Sequence, residues 1–146
     1  METRAAEPVP GAGQYLTFRV ARERFAVTAA RVRGILPVRD LEPVAPSPDL
    51  YRHFGEWICG FASLNGQDVA VVDLRGRLRL PHATHGRHPS IIVVEIDTPQ
   101  GPRLTGFIAD RVSEVFHARE RDVSAGKLHV RGRTRRVLDP NSLLNL

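Results

Sequence analysis

In 146 residues there is one cysteine, one tryptophan and one methionine, and aromatic side chains make up only 6% of the chain. A lone Cys59 excludes an internal disulfide. Set in WICGF, with no basic neighbour or helix start to lower its pKa, it reads as a small buried hydrophobe and not a reactive thiol. Long apolar runs are missing as well: the longest, such as Ile91 to Val94, hold about four residues against the roughly 20 needed to cross a bilayer. The stretch METRAAEPVPGAG carries no apolar h-region, so neither a signal peptide nor an anchor is expected, and the expected location is cytoplasmic. The common catalytic signatures are absent too, with no GxSxG, no glycine-rich loop ahead of a helix and no Cys/His dyad. His82, His85 and His88 fall in a Pro/Gly loop with no cysteine or carboxylate beside them, which is a polar loop and not a metal shell. No enzyme activity, metal or cofactor is expected.

What the chain does have is short apolar pieces at regular intervals. QYLTFRV (14–20), RFAV (24–27), VRGILPV (32–38), WICGFASL (57–64), VAVVDL (69–74), IIVVEI (91–96), RLTGFIAD (103–110) and VSEVF (112–116) all read as strands. Nowhere does a 3.6-residue apolar period last, so the chain is expected to be all-β, a plan that favours barrels over layered α/β folds. Pro43, Pro46 and Pro48 mark a loop between the third and fourth strands. RGRLRLPHATHGRHP is expected to be a helical turn followed by a loop. Residues 1–13, rich in Pro, Gly and Ala, are expected to be a disordered tail ahead of a single domain, 14–146.

The chain also repeats itself. LNGQDVAVVDL (64–74) and VRGRTRRVLDP (130–140) share a turn glycine and a hydrophobic-Asp ending. At an offset of 66, Gly60, Gly66, Val71 and Asp73 fall on Gly126, Gly132, Val137 and Asp139. At an offset of 80, Val27, Arg31, Val32, Ile35 and Leu36 fall on Phe107, Arg111, Val112, Val115 and Phe116. Each half runs hairpin, strand, connection, hairpin, the pattern of two related small barrels. At about 65 residues apiece neither can bury enough core alone, so an apolar seam should join them. Asp73 and Asp139 resemble a catalytic carboxylate pair, but Asp139 precedes Pro140 and Asp73 precedes LRGRL, which makes both N-caps.

Charge is unevenly placed. The net charge is +5, and between His117 and Arg136 seven basic residues, among them Arg119, Arg121, Arg131 and Arg133, face only Glu120 and Asp122, so the whole excess sits there. Such a segment could steer an acidic partner or could be a solvated hairpin surface.

QYLTFRVARERFAVTAARVRGILP, WICGFASLNGQDVAVVDLRGRL and TGFIADRVSEVF resemble, in order, the motifs of the CheW family of chemotaxis adaptors, over residues 14 to 144. The resemblance implies two five-stranded SH3-like β-barrels sharing a hydrophobic interface. It further implies a non-enzymatic adaptor that couples chemoreceptor cytoplasmic tips to a CheA-type histidine kinase and can meet other CheW-like domains. On that pattern a receptor tip would lie on Val32, Ile35, Leu36, Leu64, Asn65 and Gly66, positions that plain core packing explains equally well. Arg119, Arg121, Arg131 and Arg133 would serve the kinase or another partner.

Three departures stand out. Ser63-Leu64-Asn65-Gly66 replaces the family's usual Asn-Leu-Arg-Gly, so an arginine is missing at Asn65, and Gly34 stands where an acidic residue is common. Leu36 to Gly60 spans 24 positions, but Phe116 to Gly126 only 10. A second barrel truncated near 117–126 is expected to expose edge backbone around 117–131 and to weaken kinase docking. The alternative reading is a basic β-barrel that binds nucleic acid, although no aromatic lies within 117–136 to stack bases.

Overall fold

A computed structural model describes residues 12–45, 57–80 and 88–143. Strand alternation organises it. On β2 (Glu23–Thr28), Phe25 and Val27 enter one apolar cluster and Ala26 another. On β7 (Ser90–Thr98), Ile92, Val94 and Ile96 enter the first and Ile91 and Val93 a third. Because successive side chains point to opposite faces, a strand that is apolar at both parities is buried on both sides. The sequence runs RFAV and IIVVEI are of that kind.

The remaining strands are β1 (Gly13–Val20), β3 (Val32–Pro37), β4 (Glu42–Pro43), β5 (Ile58–Leu64), β6 (Gln67–Val72), β8 (Gly101–Ala109), β9 (Arg111–Ala118), β10 (Val123–Ser124), β11 (Lys127–Val130) and β12 (Arg133–Val137). A single short helix, α1 (Leu74–Arg77), and four 3-10 turns complete the described elements. One sheet runs β10-β11-β12-β2-β1-β9 and the other β4-β5-β6-β8-β7-β3. The two orders are the same list with each strand replaced by its repeat. Each sheet therefore takes a hairpin from one half of the chain and the closing strands from the other. The two-residue β4 and β10 add a sixth strand to each expected set of five.

Register confirms the duplication residue by residue. Leu16 pairs with Val115 as Ile92 pairs with Ile35, and Phe18 pairs with Val112 as Val94 pairs with Val32, each set interrupted by the same bulge. Arg136 lies beside Phe25 in a parallel pair as Ala70 lies beside Thr105. The offsets are thus 66 for β11–β12 on β5–β6, 80 for β8–β9 on β2–β3, and 76 for β7 on β1.

Three cores follow. The largest is the seam, where Leu16, Phe18, Val20, Phe25 and Val27 of one sheet meet Val72, Ile92, Val94, Ile96 and Phe107 of the other. The β3–β8 sheet encloses Val69, Val71, Ile91, Val93 and Ile108. The β9–β12 sheet buries Tyr15, Ala26, Ala118, Leu128 and Val130, two of them alanines, with Phe116, Val123 and Val137 partly buried against them. The buried Asp110 ties the seam's end, its carboxylate accepting the Ala21 N–H at 2.6 Å.

Two sequence expectations are corrected here. Pro43 does not exclude a strand: it sits in the edge strand β4, where its missing N–H can face solvent. Pro46 and Pro48 lie outside the described residues, as do His82, His85 and most of the expected N-terminal tail, although Gly13 already belongs to β1. The edge expected to be bare around 117–131 is shifted outward by one short strand: the Glu120–Asp122 turn leads into β10, which pairs with β11, and β10 and β9 are then the outer strands of the sheet. The shortening lies in the connection. Residues 44–57 link β4 to β5, whereas Ala125 and Gly126 alone link β10 to β11, both with positive φ.

Candidate functional site

Strand β3 forms one edge of its sheet. Its VRGILP sequence alternates outward Arg33 and Ile35 with half-buried Gly34 and Leu36, and the bulge after Val32 resets the phase so that Val32 packs on the seam. The charges beside it are paired back onto β7, Arg33 to Glu95 at 3.1 Å and Arg31 to Asp97 at 2.9 Å. Ile35 is left as an apolar side chain with 47% of its surface exposed. Leu36 turns inward to pack on the sheet's own core.

The β5–β6 turn stands next to this strand. Asn65 and Gly66 both take left-handed φ, 51° and 81°, the geometry of a two-residue hairpin turn that Asn-Gly favours. Leu64 folds over Gly34 so closely that a Cβ there would lie 3.0 Å from the leucine Cδ1. A groove runs beside the turn, lined by Arg33, Leu64, Asn65, Gln67, Glu95 and Leu104, and a second opens at the strand's other end, lined by Ile35, Leu36, Pro37, Val38 and His88. The six residues expected at a receptor surface therefore cluster around β3. Among them Ile35, Asn65 and Gly66 are exposed, whereas Val32, Leu36 and Leu64 mainly pack.

The repeat supplies a comparison within the molecule. Gly34 and Asn65 correspond to Glu114 and Arg131, and there Arg131 Nη1 donates to Glu114 Oε1 at 3.3 Å. The acidic and basic side chains missing from the first barrel thus occur as an ion pair in the second.

The four arginines assigned to a kinase or other partner occupy two places. Arg119 and Arg121 border a shallow groove with Glu120 and Val123, and the Arg119 N–H donates to Asp122 Oδ2 at 2.8 Å. Arg131 and Arg133 belong instead to the β11–β12 hairpin, close to Arg24, Arg135 and Glu114. Burial pulls the Arg135 guanidinium below its ordinary range; Glu114 opposes that shift, and Arg24, Arg133 and Arg131 add to it. Sequence reading passed over Glu114 and Arg24 because their contact with Arg131, Arg133 and Arg135 joins distant segments, Arg24 through the parallel β2–β12 pairing.

Asp73 and Asp139 are separate helix-turn starts. Asp73 Oδ1 accepts the Arg75 N–H at 3.0 Å, and Asp139 Oδ1 accepts the Asn141 N–H at 3.0 Å. Among the described residues no group of three or more His, Cys, Asp or Glu is placed to hold a metal, and no helix is long and apolar enough to cross a membrane.

Burial, with Asp73 nearby, pushes the Cys59 thiol up to about 11. A raised folded-state pKa means that the thiol's contribution to stability is intact below the unfolded value of 9.0 and is lost as pH climbs through about 11. Alkylation with iodoacetamide at pH 8 should accordingly be slow in the native chain and fast in denaturant. Equal rates in both would show an open, ionised thiol.

A model of the CheW-like domain family matches residues 14–146. Among solved structures, the scaffolding protein TtCheW from Thermoanaerobacter tengcongensis is similar in fold, with a TM-score of 0.73 at 20% identity, covering 92% of this chain and 94% of that one. A search of curated protein sequences found no match.

Proposed function

The chain belongs to the CheW-like domain family, a family of non-enzymatic scaffolds, and on that premise we propose that it couples chemoreceptor cytoplasmic tips to a CheA-type histidine kinase in a cytoplasmic chemosensory array. The observation that carries this reading is Ile35, an exposed aliphatic on an edge strand whose neighbouring charges are already neutralised, standing between two grooves and beside the Leu64–Gly66 turn. An apolar anchor with a polar rim is what a helical partner requires, and a few such anchors carry most of an interface's energy.

The receptor surface comprises Ile35, Asn65 and Gly66, with Val32, Leu36 and Leu64 as its packed support. Kinase docking is weakened by the short β10–β11 link, which removes the material that residues 44–57 supply in the first barrel. Other CheW-like domains are further partners, through the same barrel edges.

Ile35→Asp tests the reading. Co-sedimentation with receptor cytoplasmic domains should weaken at least about tenfold, a loss of roughly 1.4 kcal/mol, while thermal stability stays within about 0.5 kcal/mol, as for other surface changes. Unchanged co-sedimentation would remove β3 from the interface. For the kinase, capture of a CheA regulatory domain as tight as that of a full-length-loop family member would refute weakened docking.

A further inference from the structure

Strand alternation and register place a set of arginines on one face at one end of the β9–β12 sheet. Arg133 and Arg135 share a parity with Val137, and Arg24 shares one with Ala26; Val137 and Ala26 both pack in the interior of that barrel. Because Arg136 lies beside Phe25, Arg135 falls opposite Arg24, and Arg24 pairs in turn with Arg19 on β1. Arg131 closes the hairpin next to them. The one acid among these side chains is Glu114, which bonds Arg131. Arg135 Nη1 is buried and, among the described residues, has no hydrogen-bond partner.

The first barrel shows that the fold does not demand this. At the positions of Arg24, Arg131, Arg133 and Arg135 it carries Leu104, Asn65, Gln67 and Val69, and it closes the same strands with the same register. Placing four or more guanidinium groups at one barrel mouth opposes folding through mutual repulsion and desolvation. A position that a leucine or valine fills in the sister barrel has been given over to charge.

We infer that this barrel mouth, centred on Arg24, Arg133 and Arg135, binds an acidic segment of a partner protein in extended conformation. Arg133 and Arg135 stand two residues apart on one strand, about 6.7 Å, the repeat of alternate side chains in an extended chain, and Arg24 lies across about 4.8 Å on the next strand. Carboxylates at every second position of a peptide would meet them, and guanidinium forks pair with carboxylates two bonds at a time. Phosphate would also be attracted, but base stacking has little platform here: of the aromatics packed in this barrel Tyr15 is buried and Phe116 is half-buried against its core, and Phe18 and Phe25 lie in the seam on the opposite face. The inference rests on the adaptor reading only in taking the ligand to be protein.

The test titrates the full chain into a fluorescein-labelled peptide of alternating glutamate and leucine, and in parallel into a labelled single-stranded oligonucleotide. The peptide should bind, more weakly as salt rises. Arg135→Gln, Arg24→Gln and Arg133→Gln, the last at an exposed side chain where misfolding is not at issue, should each weaken it several-fold. Lys127→Gln, which removes the same charge from the outer face of β11, should leave it unchanged. No peptide binding, equal losses for all four variants, or tighter binding of the oligonucleotide would each overturn the inference. Receptor co-sedimentation of the same variants separates the two claims: it should stay at the wild-type level, whereas its absence in the wild-type chain would count against the adaptor reading and not against the arginine site.

Discussion

Phe18→Ala is expected to cost about 3–5 kcal/mol, the range for deleting a buried aromatic ring, and to lower the melting temperature by on the order of 10 °C. Phe18 is 2% exposed at the centre of the seam, its ring 5.6 Å from Phe25 and 5.1 Å from Phe107. Phe25 lies in the same sheet and Phe107 in the other, so the cavity would open on both sheets at once. The seam is the largest of the three apolar clusters, and each sheet is built from both halves of the chain. Unfolding of the variant should therefore remain a single transition, seen alike by circular dichroism and by the fluorescence of Trp57. Two separated transitions would mean that each barrel holds together on its own core.

Gly60→Ala should cost about 2–3 kcal/mol, at the upper end for overpacking. A Cβ at Gly60 would collide with the Glu42 carbonyl oxygen and lie 2.7 Å from Leu41 Cδ1, and backbone cannot yield without loosening the β4–β5 pairing. Its repeat partner makes the contrast. Gly126 has open space around its Cβ position but a φ of +73°, so Gly126→Ala should cost only about 1 kcal/mol, through left-handed strain. Denaturant midpoints at constant m-value measure both. Equal costs would show that the β4–β5 pairing is looser than this geometry.

Those two glycines also mark where sequence reading ends. The offset of 66 aligned them correctly and, with the offset of 80, gave the duplication, but not that each sheet takes a hairpin from one half of the chain and its closing strands from the other. It did not reveal that Gly60 serves a close strand pairing and Gly126 a tight turn, since the difference lies in contacts with β4 and in a backbone angle. The strands β1 to β3 and β5 to β9 were legible because RFAV and IIVVEI are apolar at both parities and Asn65-Gly66 is a hairpin signal. β4 and β10 were not, being two residues long and, in β4, containing a proline. At the candidate surface, periodicity alone could not distinguish Ile35, which faces out, from Leu36, which faces in. The arginine cluster was half visible: charge counting found Arg131, Arg133 and Arg135, but only the parallel β2–β12 pairing brings Arg24 beside them.

Hydrogen exchange read by mass spectrometry, with and without a receptor cytoplasmic fragment, tests the central claim most directly. The adaptor account predicts new protection over residues 32–36 and 64–66 with little change elsewhere. Protection confined to residues 119–135, or none along β3, would contradict it.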